Sequence, residues 1–149
     1  MARQDTPAPG PLPSTRRSLP IALIRAREAV MSPIREMLAG TGVTEQQWRV
    51  LRVLEEFGAL DASQLAGRAG LMASSLTRIV ASMVGEGLVT RETSDSDRRR
   101  QVIAISREGK ALLEANREEA AGIAQSYRDR LGDRDYERLL DLLEQLTER

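Results

Sequence analysis

Apolar side chains recur at helical spacing along most of this chain. Leu19, Ile21, Leu23, Ile24, Val30, Met31, Ile34 and Leu38 mark one long helix from Ser18 to Gly40. Pro33 lies inside it and frees one backbone carbonyl, which predicts a kink without a break. Thr44-Glu45-Gln46-Gln47 reads as a capping box: a hydroxyl and an amide side chain satisfy orphan amides at a helix start. The helix it opens carries Trp48, Leu51, Leu54 and Phe57, with Val53 partly on the same face, and stops at Gly58.

A shorter pair follows. Asp61 starts a helix with Leu65, Ala66 and Ala69 on its inner face, Gly70 turns the chain, and Leu71 plugs the turn. The next helix places Leu76, Ile79, Val80, Met83 and Val84 on one stripe and ends at Gly87, with Leu88 making the apolar contact that accompanies such a cap. Two strands, about 88–92 and 101–105, flank a polar hairpin tip that runs from Thr93 to Arg100. Ser106 caps a long helix to about Leu131, and Gly132 separates it from a last helix bearing Leu139, Leu140, Leu142, Leu143 and Leu146.

The pattern predicts a mainly α (α+β) fold: a winged helix-turn-helix over 43–105, with a long helical dimerisation region from 18–42 and 106–149. Residues 1–17, where Pro7, Pro9, Pro11 and Pro13 alternate with small residues, form an extended or disordered tail. The alternatives for that tail are a solvated segment and an arm touching DNA or a second subunit.

Composition narrows the chemistry. The sequence has no Cys and no His, which excludes thiolate nucleophiles, thiol redox sensing, Cys/His zinc sites and a Ser-His-Asp triad. No metal site, cofactor or catalytic residue is expected, because the carboxylates fall at ion-pair spacing on helix surfaces. The net charge is zero over 149 residues, so nucleic-acid binding has to rest on local clustering. All the cations but Lys110 are arginines, whose planar fork suits phosphates and base edges. No apolar run reaches the roughly 18 residues that span a bilayer, and no secretory h-region follows Arg3, so a cytoplasmic protein without membrane contact is expected.

Two short helices around a glycine turn form the unit whose second helix enters a DNA major groove. Here the first turns of that helix carry Ser74, Ser75, Thr77 and Arg78, small hydroxyls that permit close approach and one guanidinium that can reach a guanine edge or a phosphate. The hairpin tip carries Asp97, Arg98, Arg99 and Arg100, suited to a narrow minor groove, with Asp97 holding the Arg99 fork. Alone, the arginine run is equally a solvated loop and the hydroxyls are equally caps. In the order helix-turn-helix then hairpin, they point to double-stranded DNA.

These motifs resemble the MarR family of bacterial regulators over residues 18–149: Ser74-Ser75-Leu76-Thr77-Arg78 is similar to its recognition helix, and Asp97-Arg98-Arg99-Arg100 with the apolar strand, Ser106 and Gly109 is similar to its wing and the helix that follows. The resemblance implies that Arg99 is a minor-groove arginine supported by Asp97, and that Met72 stands where many members have a helix cap. A narrower resemblance, to the homoprotocatechuate-degradation operon regulators, rests on residues 18–28 and 44–52. It implies repression of an aromatic-acid catabolic operon, relieved by an aromatic carboxylate. The expected function is therefore a repressor that binds a pseudo-palindromic operator as a homodimer; the alternative is a winged-helix protein-interaction module. For an effector pocket, Arg25 and Trp48 are the first candidates, followed by Ser18, Arg49 and Met72. Trp48 is equally a core tryptophan and Arg25 equally a surface or ion-paired residue.

Overall fold

The computed structural model describes residues 8–93 and 100–148. It divides into two units, one ending at Ser32 and one beginning at Pro33. In the first, a 3₁₀ turn at Thr15–Arg17 follows Ser14, whose hydroxyl accepts from the Arg16 amide. The turn lies inside the segment expected to be extended or disordered, so its last residues are more ordered than proline spacing alone indicates. Helix α1 (Leu19–Leu38) begins in this unit and runs through Pro33 without interruption.

The second unit holds the last turns of α1, then α2 (Glu45–Phe57), β1 (Leu60–Asp61), α3 (Ala62–Ala69), α4 (Ala73–Gly85), β2 (Val89–Thr93), β3 (Gln101–Ile105), α5 (Arg107–Leu131) and α6 (Asp133–Thr147). The expected capping boxes form at both predicted places. Thr44 accepts from the Gln47 amide while the Gln47 side chain accepts from Thr44, and Asp61 and Gln64 do the same. Each closure satisfies two of the amides a helix start leaves without partners.

Helix α2 is the centre of the core. Val50, Leu51 and Leu54 are essentially sealed from solvent, and Leu65, Leu76 and Met83 close around them from α3 and α4. The inward stripe predicted on α4 is buried at Leu76, Val80 and Met83 and half-buried at Ile79, whereas Val84 is exposed. At the end of α4 the Leu88 amide donates to the Met83 carbonyl and the Gly87 amide to the Val84 carbonyl, a Schellman closure with Gly87 at φ 77°.

The sheet is antiparallel in the order β1-β3-β2, with Leu60 opposite Ile103 and Val89 opposite Ile105. Strand β1 was not foreseen: two residues carry no period. Its tie to β3 fixes the base of the wing against the start of α3. Among the described residues no helix is long and apolar enough to cross a membrane.

Ser106 joins three elements. Its hydroxyl donates to the Gly87 carbonyl and accepts from the Gly109 amide, and its own amide donates to the Leu88 carbonyl. At Gly109 a Cβ would stand 2.4 Å from the Leu88 carbonyl oxygen and 2.9 Å from Ile105 Cγ1. The early glycine of this helix is therefore a matter of close approach between α5 and the strand ends. Gly109→Ala should destabilise the protein by about 1–3 kcal/mol in denaturant unfolding, because a backbone oxygen cannot move aside as a side chain can. An unchanged midpoint would contradict this packing.

Candidate nucleic-acid interface and effector cavity

The helix-turn-helix depends on Gly70. It adopts φ 64°, ψ 39°, a left-handed conformation that costs a residue with a Cβ, and the Leu71 and Gly70 amides donate back to Ala66 and Gly67. Arg49 reinforces the turn from α2: its Nη1 donates to the Ala69 carbonyl at 2.8 Å and to the Gly70 carbonyl at 3.3 Å, while Nε and Nη2 are held by Glu45. The guanidinium thus caps the C-terminus of α3, where the helix dipole and free carbonyls favour a cation.

From that turn α4 leaves with its first residues outward. Ser74, Thr77 and Arg78 are exposed and Ser75 is half-buried. The Thr77 hydroxyl donates to the Ala73 carbonyl at 3.2 Å, which leaves its oxygen free to accept. Met72 holds the cap position without capping: its side chain makes no bond to the helix start and is 73% exposed. The start of α4 therefore has no side-chain cap at Met72.

Of the expected wing residues, Asp97, Arg98 and Arg99 lie outside the described residues. Arg100 is described, and its Nη2 donates to Asp61 Oδ2 at 2.7 Å. Asp61 thus pairs β1 with β3, caps α3 and anchors the wing arginine nearest the sheet. Its carboxyl is held below the ordinary value, first by the Gln64 amide and then by Arg100.

A cavity of about 250 Å³ opens between the last turns of α1, α2 and α5. Its walls are apolar at Ile34, Met37, Leu113, Ile123 and neighbouring alanines, and aromatic at Trp48 and Tyr127. Its polar groups are Arg52, Glu55 and Arg117. Arg52 donates to Glu55 Oε2 at 3.1 Å, Arg117 donates to Glu55 Oε1, and the Arg117 Nε donates to Glu114 at 2.8 Å. These bonds, led by Arg117, hold the Glu55 carboxyl below its ordinary range, and both glutamates push the Arg117 pKa up. Burial, with Tyr136 nearby, raises that of the Tyr127 hydroxyl. Ion pairs this exposed are screened by water, so this network adds little to stability.

The expected effector residues separate. Trp48 is a buried core residue and also lines the cavity. Arg49 and Met72 do not line it: the first is committed to the turn and the second to the outer start of α4. Ser18 and Arg25 stand in the first unit, half-buried and exposed respectively. The cations that line the cavity, Arg52 and Arg117, were not singled out. Arg52 carried a signal, since it follows Trp48 by four residues and shares its helix face. Arg117 reaches Glu55 across 62 positions, which no local pattern encodes.

The comparisons with known proteins agree with this architecture. A model described as the MarR family matches residues 43–100. The HTH-type transcriptional regulator FarR of Neisseria gonorrhoeae is 37% identical over 137 residues, covering 92% of this chain and 94% of that protein. The chain belongs to the MarR family. This is a family of non-enzymatic, DNA-binding transcription regulators. The homoprotocatechuate degradative operon repressor of Escherichia coli is 44% identical over 95 residues, 64% of each chain. The crystal structure of NadR in complex with 4-hydroxyphenylacetate superposes with a TM-score of 0.79 at 37% identity, covering 93% of this chain and 99% of that one.

Membership in the MarR family gives the Asp61–Arg100 tie a setting at the base of a wing. Asp61→Asn keeps a side chain that caps a helix as well as aspartate does and removes the charge. The folded carboxyl lies below its ordinary value of 3.8, so its contribution is complete above that value and is lost as pH falls through the lowered one. Wild type should therefore lose more thermal stability between about pH 5 and pH 2 than Asp61→Asn does. Parallel acid profiles for the two proteins would contradict the assignment.

Proposed function

We propose that this chain is a repressor that binds a pseudo-palindromic operator as a homodimer and is released by a small aromatic carboxylate. The observation that carries the DNA reading is the outward start of α4, where Ser74, Ser75, Thr77 and Arg78 surround uncapped helix amides. Uncapped amides and a guanidinium attract phosphate, and the short hydroxyls allow the helix to approach base edges. Asp97, Arg98 and Arg99 retain the wing role implied by the family, with Arg99 in the minor groove.

The salt dependence of operator binding tests this. DNA selected from a random pool should bind with an affinity that falls by orders of magnitude between about 50 and 200 mM salt. Arg78→Ala should weaken binding by roughly 1–3 kcal/mol if it reads a base, and should relax preference at one position of each half-site. Binding that ignores both salt and Arg78 would favour the protein-interaction module instead.

Dimerisation is supported by α6. It buries none of its own residues, and Leu139, Leu140, Leu142 and Leu146 are all exposed. An apolar row of this length on a polar helix is accounted for by a second copy, and two-fold symmetry would set two α4 helices about one DNA turn, roughly 34 Å, apart. The free protein should sediment as a dimer at micromolar concentration, and Leu142→Arg should shift it toward monomer. A wild-type monomer would end the symmetric-operator reading.

The cavity supports the effector class. Its volume is below the roughly 300 Å³ at which pockets for drug-sized ligands begin, so it suits a single ring. Trp48 and Tyr127 offer flat walls, and Arg52 and Arg117 offer guanidinium groups for a carboxylate. The homoprotocatechuate repressor and the NadR complex with 4-hydroxyphenylacetate point to the same ligand class.

A further inference from the structure

In the cavity the two guanidinium groups are not idle. Both donate to Glu55, which approaches from the same helix as Arg52 and across the helix gap from Arg117. Glu55 and Arg117 also line a second, wider groove on the other side, together with Arg107 and Lys110. The Glu55–Arg117 pair is therefore the common wall of two spaces and the ionic tie between α2 and α5.

We propose that Glu55 is a built-in competitor for the effector: it occupies the guanidinium groups an incoming carboxylate needs, so that binding exchanges one carboxylate for another and unties α2 from α5. The proposal rests on the effector reading given above. Three features support it. First, a carboxylate entering the cavity meets Glu55 within bonding distance of both cations, and two anions on one pair of cations repel. Second, the displaced Glu55 side chain has somewhere to go, because the adjoining groove carries Arg107 and Lys110 beside Glu114, whose own bond to Arg117 Nε leaves the other guanidinium nitrogens for the ligand. Third, Glu55 is partly solvated, so leaving Arg117 does not strand a buried charge. A neutral ring of the same shape gains nothing from the exchange and would leave the tie intact. Glu55 thus acts as a positioning and selectivity residue, setting how strongly charge on the ligand is felt.

The test uses the full-length protein and fluorescence of Trp48, the sole tryptophan, with 4-hydroxyphenylacetate and its neutral amide as probes. Glu55→Gln keeps the shape and removes the charge. It should bind the acid about tenfold more tightly than wild type, the gain of a charge-assisted bond no longer contested, and bind the amide within about twofold of wild type. An acid affinity that is unchanged or lower in the variant, or an equal change for acid and amide, overturns the competitor role while leaving the cavity as the effector site. If neither probe perturbs Trp48 in the wild-type protein, the effector reading itself fails and the competitor role falls with it, so the wild-type arm separates the two failures.

Discussion

The direction in which α4 leaves the core is fixed by one left-handed residue. Gly70 turns the chain between α3 and α4, and that turn decides which side of α4 meets Leu51 and Leu54 and which side is left to solvent. Were the turn to relax, the stripe of Leu76, Val80 and Met83 would no longer coincide with the core, and Ser75 and Arg78 would not share an outward face. Glycine makes the conformation accessible, but other conformations are equally accessible to it. Selection among them comes from the Schellman bonds and from Arg49, whose guanidinium reaches both terminal carbonyls from α2. A cation at that place neutralises the partial charge at the end of α3 and anchors the turn to the best-buried helix of the unit.

Much of this was legible in the sequence because it is local. Capping boxes at Thr44 and Asp61, the Gly87–Leu88 closure, the Ser106 cap and the α4 stripe as far as Met83 all depend on residues three to five positions apart, and they formed where the pattern placed them; only Val84, at the end of the stripe, is exposed. What the sequence does not encode depends on separation. Arg49 pairs with Glu45 four positions before it, as local spacing allows, but its bonds to the Ala69 and Gly70 carbonyls span 20 and 21 positions. Arg100 at the end of the wing reaches Asp61, 39 positions earlier. Strand β1 is too short to carry a period and exists because β3 supplies its partner. The resemblance to the MarR family could carry the order of the elements, but not these chain-specific ties.

The cavity shows the same limit in a sharper form. Arg52 and Glu55 are three residues apart on α2, a spacing that reads as an ordinary surface pair. Only the arrival of Arg117 from α5 changes their meaning, since it turns a surface pair into a charged network at the mouth of an apolar, tryptophan-lined space. Weak ion pairs are usually poor grounds for a stability argument, and here that weakness is the point. A tie strong enough to matter for folding could not be exchanged by a small ligand, whereas a partly solvated one can be.

Under the proposed function, this bears on how an effector in the cavity would reach the start of α4. Helix α2 contributes Trp48, Arg52 and Glu55 to the cavity, and from the same helix Arg49 grips the turn before α4. Trp48 and Arg49 are adjacent residues, so one turn of α2 serves both places. A rigid helix moves as a body: were the proposed exchange to release Glu55, a shift of α2 relative to α5 would carry Arg49 and the Gly70 turn with it. Differential contact is what a ligand requires to shift a conformational equilibrium, and the exchange of Glu55 for a ligand carboxylate is such a difference. Under the proposed effector reading, a path from cavity to DNA would need no chain of intermediates beyond this single well-buried helix, with the Glu55 pair on one face and the clamp of the helix-turn-helix on another.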